Sequence, residues 1–138
     1  MIDIVLGILL ITQAPYRDRI YLDLDKLAGI ESSKNPEAHN VRTEARGLFQ
    51  ITPILLREWN RYYPKERYTA QDLYQPKVNV KIAKWYLKKR IPQMLKHYRK
   101  PLTIENILIS WNAGVSYVVN EKELPSETKA FIKKYNQH

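Results

Sequence analysis

The sequence predicts a mainly α fold in a single compact domain, and three observations carry that prediction. Between Ile82 and Tyr98 the residues Ile82, Ala83, Tyr86, Leu87, Ile91, Met94, Leu95 and Tyr98 recur at spacings of three and four, the period of an amphipathic helix. Thr52 before Pro53 and Thr103 before Ile104 stand where helix caps are wanted. Strand signals, by contrast, are weak throughout.

Each element follows in chain order. Ile4 to Ile11 is an apolar run, too short for a membrane span of about twenty residues. It has no basic residues ahead of it, and Pro15 directly after Thr12-Gln13-Ala14 would hinder signal cleavage. Residues 1–14 are therefore expected to form a first buried helix in preference to a signal or anchor, and no clear export signal is visible. Ile20, Leu22, Leu24, Leu27, Ala28 and Ile30 form an apolar stripe leading to Glu31, the later members fitting helical spacing best. Asn35-Pro36 breaks that helix. Residues 37–46 are polar and mixed in charge, as in a loop or small hairpin. A helix starts at Thr52-Pro53, and Thr69 caps a short one running to Tyr74. Pro92 is expected to kink the long amphipathic helix or start a second piece. The next helix carries Ile104, Ile107, Leu108 and Trp111 on one side, and a last helix follows Pro125.

Composition excludes several kinds of chemistry. The 138 residues suffice for one domain with a real core. With no cysteine there is neither disulfide nor thiol nucleophile, and His39, His97 and His138 match no zinc spacing. No metal and no cofactor are expected. The net charge of +9 is concentrated: Leu73 to Ile104 holds nine Lys or Arg residues and no acid, leaving fourteen of each sign elsewhere. Lys84, Lys88 and Lys89 on its open face are candidates for binding an anionic polymer. A solvated helix face that keeps the chain soluble is the plainer alternative. Nucleic acid is not the expected partner, since no nucleic-acid-binding motif accompanies the patch.

Four short segments carry the chemistry: Glu31-Ser32 with Asn35-Pro36, Gly47-Leu48-Phe49-Gln50, Ser110-Trp111-Asn112-Ala113-Gly114, and Leu124-Pro125-Ser126-Glu127-Thr128. A glycosidic bond is cut by a carboxylic acid that stays protonated long enough to donate to the leaving oxygen. Burial among apolar groups favours the protonated form. Glu31, following Leu27, Ala28 and Ile30, suits that task, although one Glu near a helix end is by itself an ordinary charged residue.

Together, in order and spacing, these segments resemble the lytic transglycosylases of the goose-lysozyme-like superfamily, over most of the chain from about Leu22 to Tyr135. The resemblance implies a lysozyme-like fold with a glycan-binding cleft and peptidoglycan glycan strands as substrate. It implies Glu31 as acid and then base, with Ser32 orienting its carboxyl or holding the turn. Gly47 and Gln50 match the family's Gly-Leu-Met-Gln motif. There glycine lets a sugar approach the backbone, and the Gln50 amide can donate to and accept from an acetamido group. Phe49 keeps the bulk of the family Met, and Thr52 replaces a frequent Met near the substrate. Asn40 falls nearest a family Ser that contacts substrate. Trp111 and Asn112 match Tyr-Asn-Ala-Gly, with Trp111 replacing the Tyr and lacking its hydroxyl. Glu127 and Phe131 match the closing Pro-x-Glu-Thr-x-x-Tyr, with Glu127 a structural partner. Asp72-Leu73-x-x-Pro76 with Val78-Asn79 resembles a segment in which the Asn fixes a helix start.

The implied reaction cuts the bond between N-acetylmuramic acid and N-acetylglucosamine and leaves a 1,6-anhydro end. Two alternatives stand beside it. One is a hydrolytic muramidase, for which a second carboxylate would come from Glu37, Glu44 or Asp72, with Glu44 positioning the water. The other is a non-catalytic module that binds wall or an assembly partner. The protein is expected to be a monomer acting on the cell wall in the periplasm or outside the cell. Secretion, conjugation or phage-particle components are expected as its delivery partners.

Overall fold

The computed structural model describes residues 4–11 and 20–137, and these form helices with two small antiparallel sheets. The backbone gathers into two compact units, Ile4, Val5 and Asp25–Lys84 in one and the described parts of Leu6–Leu24 and Trp85–His138 in the other.

The first unit begins in helix α1 (Leu24–Ser32), whose Leu27 and Ala28 are fully buried. Ser33 and Lys34 then take left-handed backbone angles ahead of Asn35-Pro36, and the helix stops. Strands β3 (His39–Asn40) and β4 (Ala45–Arg46) make a small hairpin, one of the two forms expected of the mixed polar stretch. Asn40 Oδ1 accepts from the backbone N–H groups of Arg42 and Thr43 at 3.0 and 3.2 Å, shaping the hairpin turn with its own side chain. Helix α2 (Pro53–Tyr62) starts as expected. Thr52 Oγ1 accepts from Leu55 N, Pro53 fills the first turn, and Leu55, Leu56 and Trp59 are buried. A 3₁₀ turn (Gln71–Tyr74) opens with an exchange in which Thr69 N donates to Asp72 Oδ2 and Asp72 N donates to Thr69 Oγ1. Helix α3 (Pro76–Trp85) follows and buries Val78, Asn79, Ile82 and Ala83.

In the second unit β1 (Ile8–Ile11) pairs antiparallel with β2 (Ile20–Asp23), Ile8 opposite Asp23 and Ile11 opposite Ile20. This corrects the first helix expected over residues 1–14. Gly7 has φ +76°, which no right-handed helix allows, and its carbonyl accepts from Leu24 N at 3.0 Å. Leu9 and Ile11 are buried while Ile8 is exposed, the alternation of a strand, and β-branched residues favour it. Residues 1–3 and 12–14, including the signal-cleavage question, lie outside the described residues. Ile20 and Leu22 likewise belong to β2 and not to the helix that reaches Glu31.

The long basic helix is interrupted as Pro92 predicts. Proline has no N–H to give Lys88 and its ring crowds that carbonyl. The preceding turn (Tyr86–Arg90) widens into a π-turn, with Ile91 N reaching Tyr86 O, and α4 (Ile91–His97) begins. Helix α5 (Ile104–Asn112), capped by Thr103 Oγ1 on Asn106 N, touches α4, β2, α6 (Ser116–Val119) and α7 (Ser126–Asn136). Its Ile107, Leu108, Ile109 and Ser110 are buried, Ser110 Oγ donating to Asn106 O at 2.7 Å.

One hydrogen bond ties the last helix to the sheet: Asp23 N donates to the buried Tyr135 hydroxyl at 3.0 Å. Burial pushes the Tyr135 phenol above its ordinary pKa of 10.0. Tyr135→Phe is expected to lower stability by about 0.5–1.5 kcal/mol, the net worth of one such bond. The reading is a lower urea midpoint at unchanged slope, and an unmoved midpoint would mean that the bond contributes nothing.

Candidate active site

Glu31 and Ser32 are the last two residues of α1, and both are half-buried. Ser32 Oγ donates to Leu48 O at 2.7 Å and lies 3.2 Å from Ala28 O, while Asn35 N donates to Ser32 Oγ at 3.1 Å. One hydroxyl thus closes the end of the helix, starts the Asn-Pro turn and fastens both to the Gly-Leu-Phe-Gln segment. Of the two roles expected for Ser32, holding the turn is the one these bonds perform.

That segment is a tight turn set on Asn79. Gly47 is buried with φ +81°, and a side-chain carbon there would lie 2.2 Å from Asn79 Nδ2 and 2.3 Å from Leu73 O. Asn79, fully buried on α3, donates through Nδ2 to Arg46 O and Leu73 O, both at 2.9 Å. Its Oδ1 accepts from Phe49 N at 2.9 Å. Glycine is therefore required by backbone angle and by space, independently of any sugar. Phe49 and Leu48 are fully buried, so they are core. Gln50 also has positive φ, and its Nε2 donates to Gly47 O at 3.0 Å and Ala38 O at 3.3 Å. Arg46 and Ile51 exchange backbone bonds at 3.0 Å across the turn, which brings the chain to Thr52. Thr52 spends its hydroxyl on the helix cap and Asn40 its carbonyl oxygen on the hairpin turn, so each has a structural duty.

The candidate second carboxylates are all occupied or exposed. Glu44 Oε2 accepts from Arg46 Nη2 at 2.8 Å and meets His39 Nε2 at 3.0 Å. The His39 bond, with the charges of His39 and Arg46, holds its carboxyl below the ordinary 4.5. Asp72 is bound to Thr69 and Gln75, and Glu37 is exposed. A shallow cavity of about 570 Å³ lies beside Tyr62, Tyr63, Pro64, Lys65 and Glu66, beyond the last turn of α2. Its acid, Glu66, is committed to Lys81 and to the Tyr68 hydroxyl. No group of three or more His, Cys, Asp or Glu side chains able to hold a metal occurs among the described residues.

In the second unit Asn112 ends α5, and its Oδ1 accepts from the buried Thr128 Oγ1 of α7 at 2.7 Å. Two motif segments far apart in sequence are joined there. Trp111 is half-buried beside Tyr86, ring centroids 6.1 Å apart and tilted by 53°, and Trp85 lies 6.0 Å from Tyr86. Sequence reasoning counted Tyr86 only as part of the apolar stripe, since nothing local in the chain signals that its ring meets Trp111. Glu127 is exposed in the first turn of α7, where a negative charge suits the helix end. Lys84 is exposed in the last turn of α3, and Lys88 and Lys89 are exposed on the π-turn.

Two outcomes follow from this geometry. Gly47→Ala is expected to cost about 2–5 kcal/mol, combining overpacking with backbone strain. Gly29→Ala, inside α1 with open space around it, is expected to stabilise by about 0.5–1 kcal/mol. Equal thermal midpoints for the two would remove the steric argument. The Glu44 bonds are fully present above the ordinary carboxylate pKa and are lost as pH falls through the lowered one. Amide protection in residues 39–46, relative to the intrinsic exchange rate at each pH, should therefore fall as pH drops below the ordinary carboxylate pKa, and Glu44→Gln should abolish that pH dependence.

The chain matches the Transglycosylase SLT domain family over residues 21–134. Among solved structures it is similar to the 70 kDa soluble lytic transglycosylase of Escherichia coli, at a TM-score of 0.55 and 20% identity, covering 80% of this chain. The chain spans 18% of that protein's length, and no curated protein matches it. The match extends from β2 into α7 and so takes in both units, and the structural likeness gives the mainly helical chain the lysozyme-like fold. The chain belongs to the transglycosylase SLT domain family.

Proposed function

We propose that the chain works as one lysozyme-like domain that cleaves the β-1,4 bond between N-acetylmuramic acid and N-acetylglucosamine, with Glu31 as the single acid and base. The observation that carries this reading is the Ser32 hydroxyl bridging the end of α1 to Leu48. That bond fixes the helix end bearing Glu31 against the Gly47–Gln50 turn, so acid and substrate-binding turn move as one piece. Glu31 gives its proton to the glycosidic oxygen as the bond to C1 breaks, and the substrate's acetamido oxygen stabilises the electron-poor carbon. The Glu31 carboxylate then takes the proton of the 6-hydroxyl. O6 closes on C1, giving the 1,6-anhydro end without water and restoring the acid. Gly47, Gln50, Asn40 and Thr52 in the first unit are proposed to bind glycan, and in the second unit Asn112 is proposed to do so as well. The Trp111 ring, with Tyr86 beside it, offers an aromatic face for a pyranose.

The hydrolytic alternative loses support from Glu44, whose carboxylate is already held by Arg46 and His39. Among the described residues no helix is long and apolar enough to cross a membrane. We infer a monomer that reaches the wall through a virion or a secretion or conjugation apparatus.

Glu31→Gln is expected to lower turnover on purified peptidoglycan by about a hundred- to ten-thousand-fold without moving the thermal midpoint. Near-normal turnover would make Glu31 the wrong residue. Digestion in oxygen-18 water is expected to give unlabelled 1,6-anhydro ends. Labelled reducing ends would establish a muramidase instead, and wall-bound protein with no soluble product would establish a binding module.

A further inference from the structure

The nine cations between Leu73 and Ile104 separate, in the folded chain, into tied and untied ones. Lys81 is bound to Glu66, and Lys100 lies 3.4 Å from Glu121. In the second unit Lys88, Lys89, Lys96 and Arg99 are exposed and, among the described residues, make no ion pair. Lys89 and Lys96 are seven residues apart, about 10 Å along one helix face, with the exposed Gln93 between them. The opposite face is fixed in the core, Leu87, Ile91 and Leu95 being fully buried. The cationic face therefore cannot turn its apolar side toward a lipid bilayer.

Helix electrostatics account for only part of this arrangement. Lys96 and His97 occupy the last turn of α4, where positive charge is favoured. Lys88 and Lys89 lie on the π-turn that runs directly into α4, with more helix on both sides. No helix end rewards their charge there, and the like charges of Lys88, Lys89 and Lys96 on one exposed surface repel each other at low salt. An external anion relieves that repulsion. Cations about 10 Å apart are too widely spaced to share one small ion, and they suit a polymer with repeated negative groups.

We propose that Lys88, Lys89, Lys96 and Arg99 form a binding face for the peptide-stem carboxylates of peptidoglycan, concentrating the domain on the wall that holds its glycan substrate. The inference rests on the peptidoglycan reading above, and it adds a site that takes the anionic peptides where the proposed catalytic residues take the sugars. Contact through exposed side chains in water makes the attraction salt-dependent.

The experiment is co-sedimentation of the full chain with purified peptidoglycan freed of phosphate polymers, in the cold, with protein in the pellet as readout. Three proteins are compared: wild type, Lys88→Gln/Lys89→Gln/Lys96→Gln, and the same three positions changed to Arg. At about 10 mM salt, where the screening length is about 30 Å, the Gln variant is expected to bind about tenfold more weakly. The Arg variant should bind like wild type. At about 1 M salt, with a screening length of about 3 Å, the three should converge. Peptidoglycan whose carboxylates have been amidated should hold wild type as poorly as intact wall holds the Gln variant. Equal binding of the Gln variant with an unchanged thermal midpoint overturns the proposal, as does undiminished binding to amidated wall. A loss confined to retention on DNA also overturns it. The product analysis is read separately, so wall that is bound through these lysines but never cleaved would sink the transglycosylase mechanism and leave the binding face standing.

Discussion

The carboxamide of Asn79 is the constraint around which the first unit's functional segments are arranged. With one donor nitrogen and one acceptor oxygen it satisfies Arg46 O, Leu73 O and Phe49 N, all of them backbone groups. A buried amide left without partners costs far more than each bond returns, so the three segments are held in one mutual geometry. The absence of a side chain at Gly47 lets the amide come this close. The turn then presents Gln50 in a left-handed conformation that its own side chain braces through Gly47 O and Ala38 O.

The Ser32 hydroxyl extends this scaffold to the end of α1. It meets Leu48 O, the carbonyl next to the Phe49 N–H that Asn79 captures. Helix α3, the turn and α1 are therefore linked through the single Leu48–Phe49 peptide group. A proton donor must meet its acceptor within a few tenths of an ångström, and placement on locked elements gives better control than placement on a free loop. The proposed acid sits next in sequence to the residue that makes the lock.

Much of this was legible in the chain because the signals are local. Thr52, Thr103 and Pro92 act within four residues of themselves, and the structure places two caps and the start of a second helical piece where the sequence puts them. The polar stretch at 37–46 was legible only as a loop or a small hairpin, and the β3–β4 pairing makes it the hairpin. The β1–β2 ribbon was not legible, since a four-residue apolar strand reads like a buried helix segment until its partner is known. In the site, the order of the motifs pointed to Glu31, Ser32 and the Gly47 turn. The meeting of Thr128 with Asn112 and of Tyr86 with Trp111 is long-range, and periodicity carries no information about such pairs.

The acids and bases of the chain also divide by task. The His39 hydrogen bond, with Arg46, draws the Glu44 carboxyl below its ordinary pKa, and the hydrogen-bonded Lys81 and Lys129 do the same for Glu66 and Glu123. Glu66 and Glu123 are exposed and Glu44 is half-exposed, so each pair adds little to stability. Their effect is to fix local geometry at the hairpin, at the α2–α3 connection and before α7. Because these carboxylates are engaged, the hairpin's carboxylate is poorly suited to abstract a proton from water. A one-carboxylate mechanism, in which the substrate's own 6-hydroxyl completes the reaction, asks nothing of them. Lys88, Lys89 and Lys96 make no ion pair among the described residues, and the anion proposed to complement them comes from outside the chain.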